Sequence, residues 1–150
     1  MNRAPQRAAT ALPALALALC LAGCERSAGP PPAAMAPVEQ GDGRVEWAGV
    51  QPCTDCDAID TRLVLAREDG RRRFVLTEVY LAEQPVQFVA NGQWERSGAL
   101  LQLEADDGSR LRYALLEDGR LQPRDLRGRR LPGSDGDGML MPVASASAAR

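Results

Sequence analysis

Sulfur carries most of the chemistry this sequence could perform. Cys53 and Cys56 are separated by two residues in Pro52-Cys53-Thr54-Asp55-Cys56-Asp57, after a proline and before a run of alternating apolar residues. Three readings compete for the pair. The first and favoured one is a structural disulfide, as expected of paired cysteines in an oxidising compartment; it would close a short loop and contribute roughly 2 kcal/mol at most. The second is a Cu(I) site, in which two thiolates bind a soft ion with help from a thioether of Met139 or Met141. The third and weakest is a redox couple, because Asp55 and Asp57 oppose thiolate formation and no βαβ pattern surrounds the motif. Zinc is disfavoured, since a four-coordinate site needs two further Cys or His ligands.

A third cysteine has a different use. Arg3 and Arg7 precede an uncharged apolar run over residues 8–22, which ends in Leu21-Ala22-Gly23-Cys24. The layout is that of a secretory signal. The run is shorter than the roughly 20 residues of a spanning helix and is interrupted by Pro13. Small residues before a cysteine resemble a bacterial lipobox, which predicts cleavage after residue 23 and acylation of Cys24. One acyl chain binds a membrane marginally, whereas two or more hold stably. Glu25 after the cysteine resembles lipoproteins sorted to the outer membrane, so the expected address is a periplasm-facing, lipid-anchored position there.

Composition narrows the remaining choices. The chain has no histidine, which removes the usual general base, the triads built on it and the commonest metal ligand. The expectation is therefore a protein that is not an enzyme. The formal charge is −2; losing Arg3 and Arg7 with the signal takes it to −4, so a nucleic-acid partner is not expected. Arg71-Arg72-Arg73 follows Asp69-Gly70 and reads as the solvated mouth of a hairpin.

The elements that position the cysteines follow from periodicity. Apolar residues alternate over 44–50, 61–66, 73–81, 86–96, 100–105 and 110–115, with a weaker run around Leu121, which is the pattern of half-buried strands. Asp69-Gly70, Asp107-Gly108 and Asp118-Gly119 are hairpin dipeptides. No stretch of twelve residues carries a helical stripe. The prediction is an all-β antiparallel meander, closed or nearly closed into a small barrel because closure removes exposed edges. Most of Trp47, Phe74, Tyr80, Phe88, Trp94 and Tyr113 are expected in its core. The domain plan is a signal peptide over 1–23, the lipidated cysteine and a Pro/Ala/Gly-rich tether over 24–43, the barrel over 44–132 and a disordered tail over 133–150. The tether could reach on the order of 60 Å.

The cysteine motif, extended to G-x-x-P-C-x-D-C-x-x-I-x-T-x-L over residues 49–63, resembles the N-terminal domain of the NlpE lipoproteins. Tyr80-Leu81, Phe88 and Gly92-Gln93-Trp94 are similar to further landmarks of that family, and the resemblance covers about residues 46–131. It implies a lipocalin-like β-barrel, a disulfide or copper-binding role for Cys53 and Cys56, and a part in copper resistance or the Cpx envelope stress response. The implied partners are the membrane, through the lipid, and a periplasmic or inner-membrane stress sensor. Longer family members carry a second domain with another cysteine pair, and none is expected within the length of this sequence. The reading is a membrane-tethered sensing domain with no required cofactor; its alternatives are a Cu(I)-buffering lipoprotein and a thiol-disulfide oxidoreductase.

Overall fold

The computed structural model describes residues 33–131, 136 and 138–144. The signal peptide, Cys24 and the first part of the tether lie outside these residues. One short helix, α1 (Ala36–Gln40), precedes eight strands: β1 (Gly43–Gln51), β2 (Ala58–Glu68), β3 (Arg71–Leu81), β4 (Val86–Ser97), β5 (Leu100–Ala105), β6 (Arg110–Leu115), β7 (Leu121–Arg124) and β8 (Met141–Pro142). All pair antiparallel in the order β7-β6-β5-β4-β3-β2-β1-β8. The predicted all-β meander is the observed fold.

Closure depends on the last strand. β8 lies beside Trp47 and Ala48 of β1, and Leu140, just before it, exchanges two backbone hydrogen bonds of 2.9 Å with Leu121 of β7. The barrel is thus sealed along a narrow seam. Residues 138–144 were expected in a disordered tail; they are instead part of the barrel, and Leu140 is fully buried in its core. Gly49 makes the seam possible, because a Cβ there would stand 2.5 Å from the carbonyl oxygen of Met139.

A second correction concerns the tether. Its final residues are folded: Pro37 sits in the first turn of α1, where a missing N–H costs nothing, and Met35 and Val38 are fully buried. They plug one end of the barrel, which we call the base. There the Glu39 carboxylate receives Arg96 Nε at 2.9 Å and approaches Arg72 at 3.9 Å, while the Arg72 guanidinium stacks 4.7 Å over the Trp94 ring. Asp42 accepts hydrogen bonds from the backbone N–H of Asp69 and Gly70, holding the tight β2–β3 turn, whose two residues both have positive φ. The arginine run is therefore only partly a solvated hairpin mouth.

The core is lined by the inward phase of every long strand, including Trp47, Leu63, Leu65, Phe74, Leu76, Trp94, Leu101, Leu103 and Tyr113. Both indole N–H groups are satisfied, Trp47 by Gly119 O at 2.8 Å and Trp94 by Ala66 O at 3.0 Å. Gly92 lets β5 cross close by, since a Cβ there would meet Glu104 O at 2.0 Å.

Candidate functional site

At the other end, which we call the rim, two hairpins rise past the shorter strands. β1 turns into β2 through residues 52–57, and β3 turns into β4 through residues 82–85. Cys53 and Cys56 form a disulfide in the first of these turns, with a Cα–Cα distance of 5.3 Å. Both cysteines are half-buried, with exposed Thr54 and Asp55 between them. The loop is tied to the second hairpin where Asp57 N–H donates to Leu81 O at 2.9 Å, and the register continues as Ala58 opposite Leu81 and Ile59 opposite Tyr80. No helix begins at Cys53, so neither cysteine receives the helix N-terminal field that activates redox cysteines of the thioredoxin kind.

The methionines proposed as auxiliary ligands are close to this strand. Met141 is exposed and pairs with Ala48, and the Met139 backbone lies against Gly49. Both therefore flank β1, the strand that ends at the cysteine loop. Among the described residues, no group of three or more Cys, Asp or Glu side chains is placed to hold a metal ion.

The inner wall under the rim is polar, which the sequence reading missed. Thr61 is fully buried, and its Oγ1 has no hydrogen-bond partner; neither does the buried Nε2 of Gln51. Glu78 stands in the same phase as buried Phe74 and Leu76, and burial raises its pKa above the ordinary carboxylate value. Tyr113 is raised strongly, first by burial and then by the nearby Glu78 charge, with Gln51 acting in the opposite direction. The signal for this cluster was in the alternation, which places Gln51, Thr61 and Glu78 at inward positions.

The aromatic expectation divides at the same level. Trp47, Phe74, Trp94 and Tyr113 are core. Phe88 is 55% exposed and meets Tyr80 edge to face at 5.2 Å above the closed part of the barrel.

Comparison with known proteins places this architecture. The family model described as the NlpE N-terminal domain matches residues 47–134, from the first core tryptophan past the last long strand. The chain belongs to the NlpE N-terminal domain family. The lipoprotein NlpE of Escherichia coli strain K12 is 39% identical over 69 residues, which are 45% of this chain and 28% of that protein. The crystal structure of the Cpx pathway activator NlpE from Escherichia coli is 31% identical and matches 58% of this chain and 45% of that one, with a TM-score of 0.48. A lipoprotein structure from Shewanella oneidensis matches 66% of this chain and 87% of that one, at 24% identity and a TM-score of 0.51, and is similar in fold. The NlpE-family match thus includes the motif over residues 49–63, which the structure puts on the rim hairpin. This chain spans less than half of the length of either Escherichia coli chain it matches.

Proposed function

We propose that this chain is an envelope lipoprotein whose barrel serves as a membrane-tethered sensing domain for copper or envelope stress, in the manner of Cpx-type signalling. The observation that carries the reading is the position of the disulfide. It sits on an exposed hairpin at the end of β1 opposite α1, and the nine residues of β1 rise roughly 30 Å at about 3.4 Å per residue. The described chain begins at the base, beside α1, so the disulfide is displayed at the end opposite the one where the tether joins the barrel. Family membership and the lipobox at Cys24 support the envelope address, with the outer membrane suggested by Glu25. The partner would be a periplasmic or inner-membrane stress sensor.

Reduction of the disulfide by an external dithiol would take up two electrons and two protons and free two thiols. Deprotonated, they are soft donors suited to Cu(I), with Met141 of β8 and Met139 before it as candidate thioethers. A buffering lipoprotein without signalling is the second reading, favoured by that placement of the methionines.

The test expresses the full chain in its host with a Cpx-type stress reporter, beside Cys24→Ala and Cys53→Ser/Cys56→Ser. Sensing predicts that overexpression raises output, that mislocalising Cys24→Ala changes it, and that the cysteine variant loses the response to copper. Output indifferent to all three sinks the signalling reading. Stoichiometric Cu(I) binding by the reduced protein, with a silent reporter, would leave buffering in its place.

A further inference from the structure

β4 is longer than the strand beside it. Its residues Gly92 to Ser97 pair with β5, and the register ends at Gly92 opposite Ala105. Beyond that point β4 continues for six residues, Val86 to Asn91, paired with β3 on one side. On its other side, among the described residues, the only backbone bond is Asn91 O accepting from Asp106 N–H at 2.8 Å. That bond fixes the direction of the groups above it. Successive residues of a strand send their N–H and C=O to alternate sides, so Val89 and Gln87 present theirs outward, on the same side as Asn91.

This edge lacks the defences that exposed edges usually carry. Residues 86–91 contain no charge and no proline, whereas edge strands are commonly protected by charged side chains, prolines or bulges. Val86, Phe88 and Val89 are instead 49%, 55% and 51% exposed, with Phe88 on one face and Val89 on the other. A strand laid along the edge would find backbone partners and apolar side chains together, the combination used in strand addition.

Charge selects the occupant. Segments 49–60 and 77–91, which build the two rim hairpins, contain Asp55, Asp57, Asp60, Glu78 and Glu83 and no arginine. Asp106 and Asp107 stand at the lower end of the free edge, and Asp106 alone of these two is matched, by Arg73 at 3.0 Å. Two copies pairing edge to edge would bring two sets of these carboxylates together, which like-charge repulsion opposes. We infer that the free edge of β4 docks an extended, alternately apolar segment of another protein, flanked by basic residues. The inference does not depend on the redox or copper reading of the cysteines.

The test uses the purified full chain in detergent and a short fluorescent peptide that alternates valine with threonine and ends in arginine on both sides. Fluorescence anisotropy reads its binding against two controls: the same peptide ending in glutamate, and one N-methylated at alternate amides. Docking predicts at least about tenfold weaker binding of each control, and a similar loss in Val89→Pro, which removes an outward N–H while leaving the β3 ladder intact. Cys53→Ser/Cys56→Ser should bind as the wild type does, separating this outcome from the sensing test. Absence of binding, equal affinity for the arginine and glutamate peptides, or insensitivity to N-methylation would each overturn the proposal. The methylated peptide keeps the test decisive if Val89→Pro fails to fold. A concentration-dependent dimer in sedimentation, abolished by Val89→Lys, would assign the edge to a second copy and overturn it too.

Discussion

At the base, both carboxylates of the plug segment over residues 33–42 have partners: Glu39 takes Arg96 and Arg72, and Asp42 takes two backbone N–H groups. At the rim, the hairpin segments carry acids without an arginine among them, two buried polar atoms have no partner, and Phe88 stands in solvent. The sheet is continuous between the two, so the difference lies in what each end is for. The plug at the base is finished as structure, with the carboxylates of its segment partnered and Met35 and Val38 fully buried, and its unpartnered buried atom is the Nε of Arg67. Groups left unsatisfied at the rim cost stability, and a fold tolerates that cost where a surface is used for recognition.

The sharpest way to break this comparison is to truncate one large side chain at each end. Trp47→Ala removes a fully buried ring and its bond to Gly119, and should cost about 3 to 5 kcal/mol in urea denaturation. Phe88→Ala should stay within about 0.5 kcal/mol, as expected of a surface site. Similar losses for both would mean that the rim is structural as well. Glu39→Gln is the next probe, since it leaves Arg96, itself largely covered, facing a neutral amide. A loss of roughly 1.5 to 3 kcal/mol is expected, and hydrogen exchange should quicken in α1 and the β2–β3 turn before the rest.

Replacing both cysteines by serine tests the other end. The disulfide joins residues three apart in sequence, and loop entropy limits its contribution to about 2 kcal/mol. Exchange should rise in residues 52–58 and around Leu81, which the loop holds through Asp57, and stay unchanged in β5 to β7. Loosening that spread to the base would show that the ends are one cooperative unit.

Much of this layout was legible in the sequence because alternation reports which face of a strand is buried. It reported nothing about where the barrel ends. Phe88 keeps the same phase as Ala90 and Trp94, yet lies beyond the last residue that β5 covers, so an inward position became an exposed one. Alternation also needs length. Met35 and Val38 occupy a single helical turn and Leu140 sits in the short stretch between Gly138 and Pro142, so no period marked either as core, and both were assigned to flexible flanks. The cysteine pair was readable from its spacing, whereas its place at the end opposite α1 depended on β1 running from plug to rim. The polar inner wall was present in the pattern, but a lone threonine or glutamate in phase with leucines looks like an exception until neighbouring strands bring several together.

Glu78 gives the smallest and most specific test of that wall. Burial raises its folded pKa above the ordinary value of 4.5, so between the unfolded and the raised folded pKa the native state holds more protons than the unfolded one. Stability therefore falls as pH rises through that window, the reverse of the usual salt-bridged carboxylate. The penalty is complete once the pH exceeds the folded pKa. Glu78→Gln removes the titration while keeping the shape, so the variant should lose this downward slope and match or exceed the wild type at neutral pH, with the difference vanishing in acid. Paired urea titrations across that range measure it. An unchanged slope would show that Glu78 reaches water freely; the strain of the wall would then reside in Thr61 Oγ1 and Gln51 Nε2, and because Arg67 Nε at the base is unpartnered as well, the exposed Phe88 would be the clearer difference between the two ends.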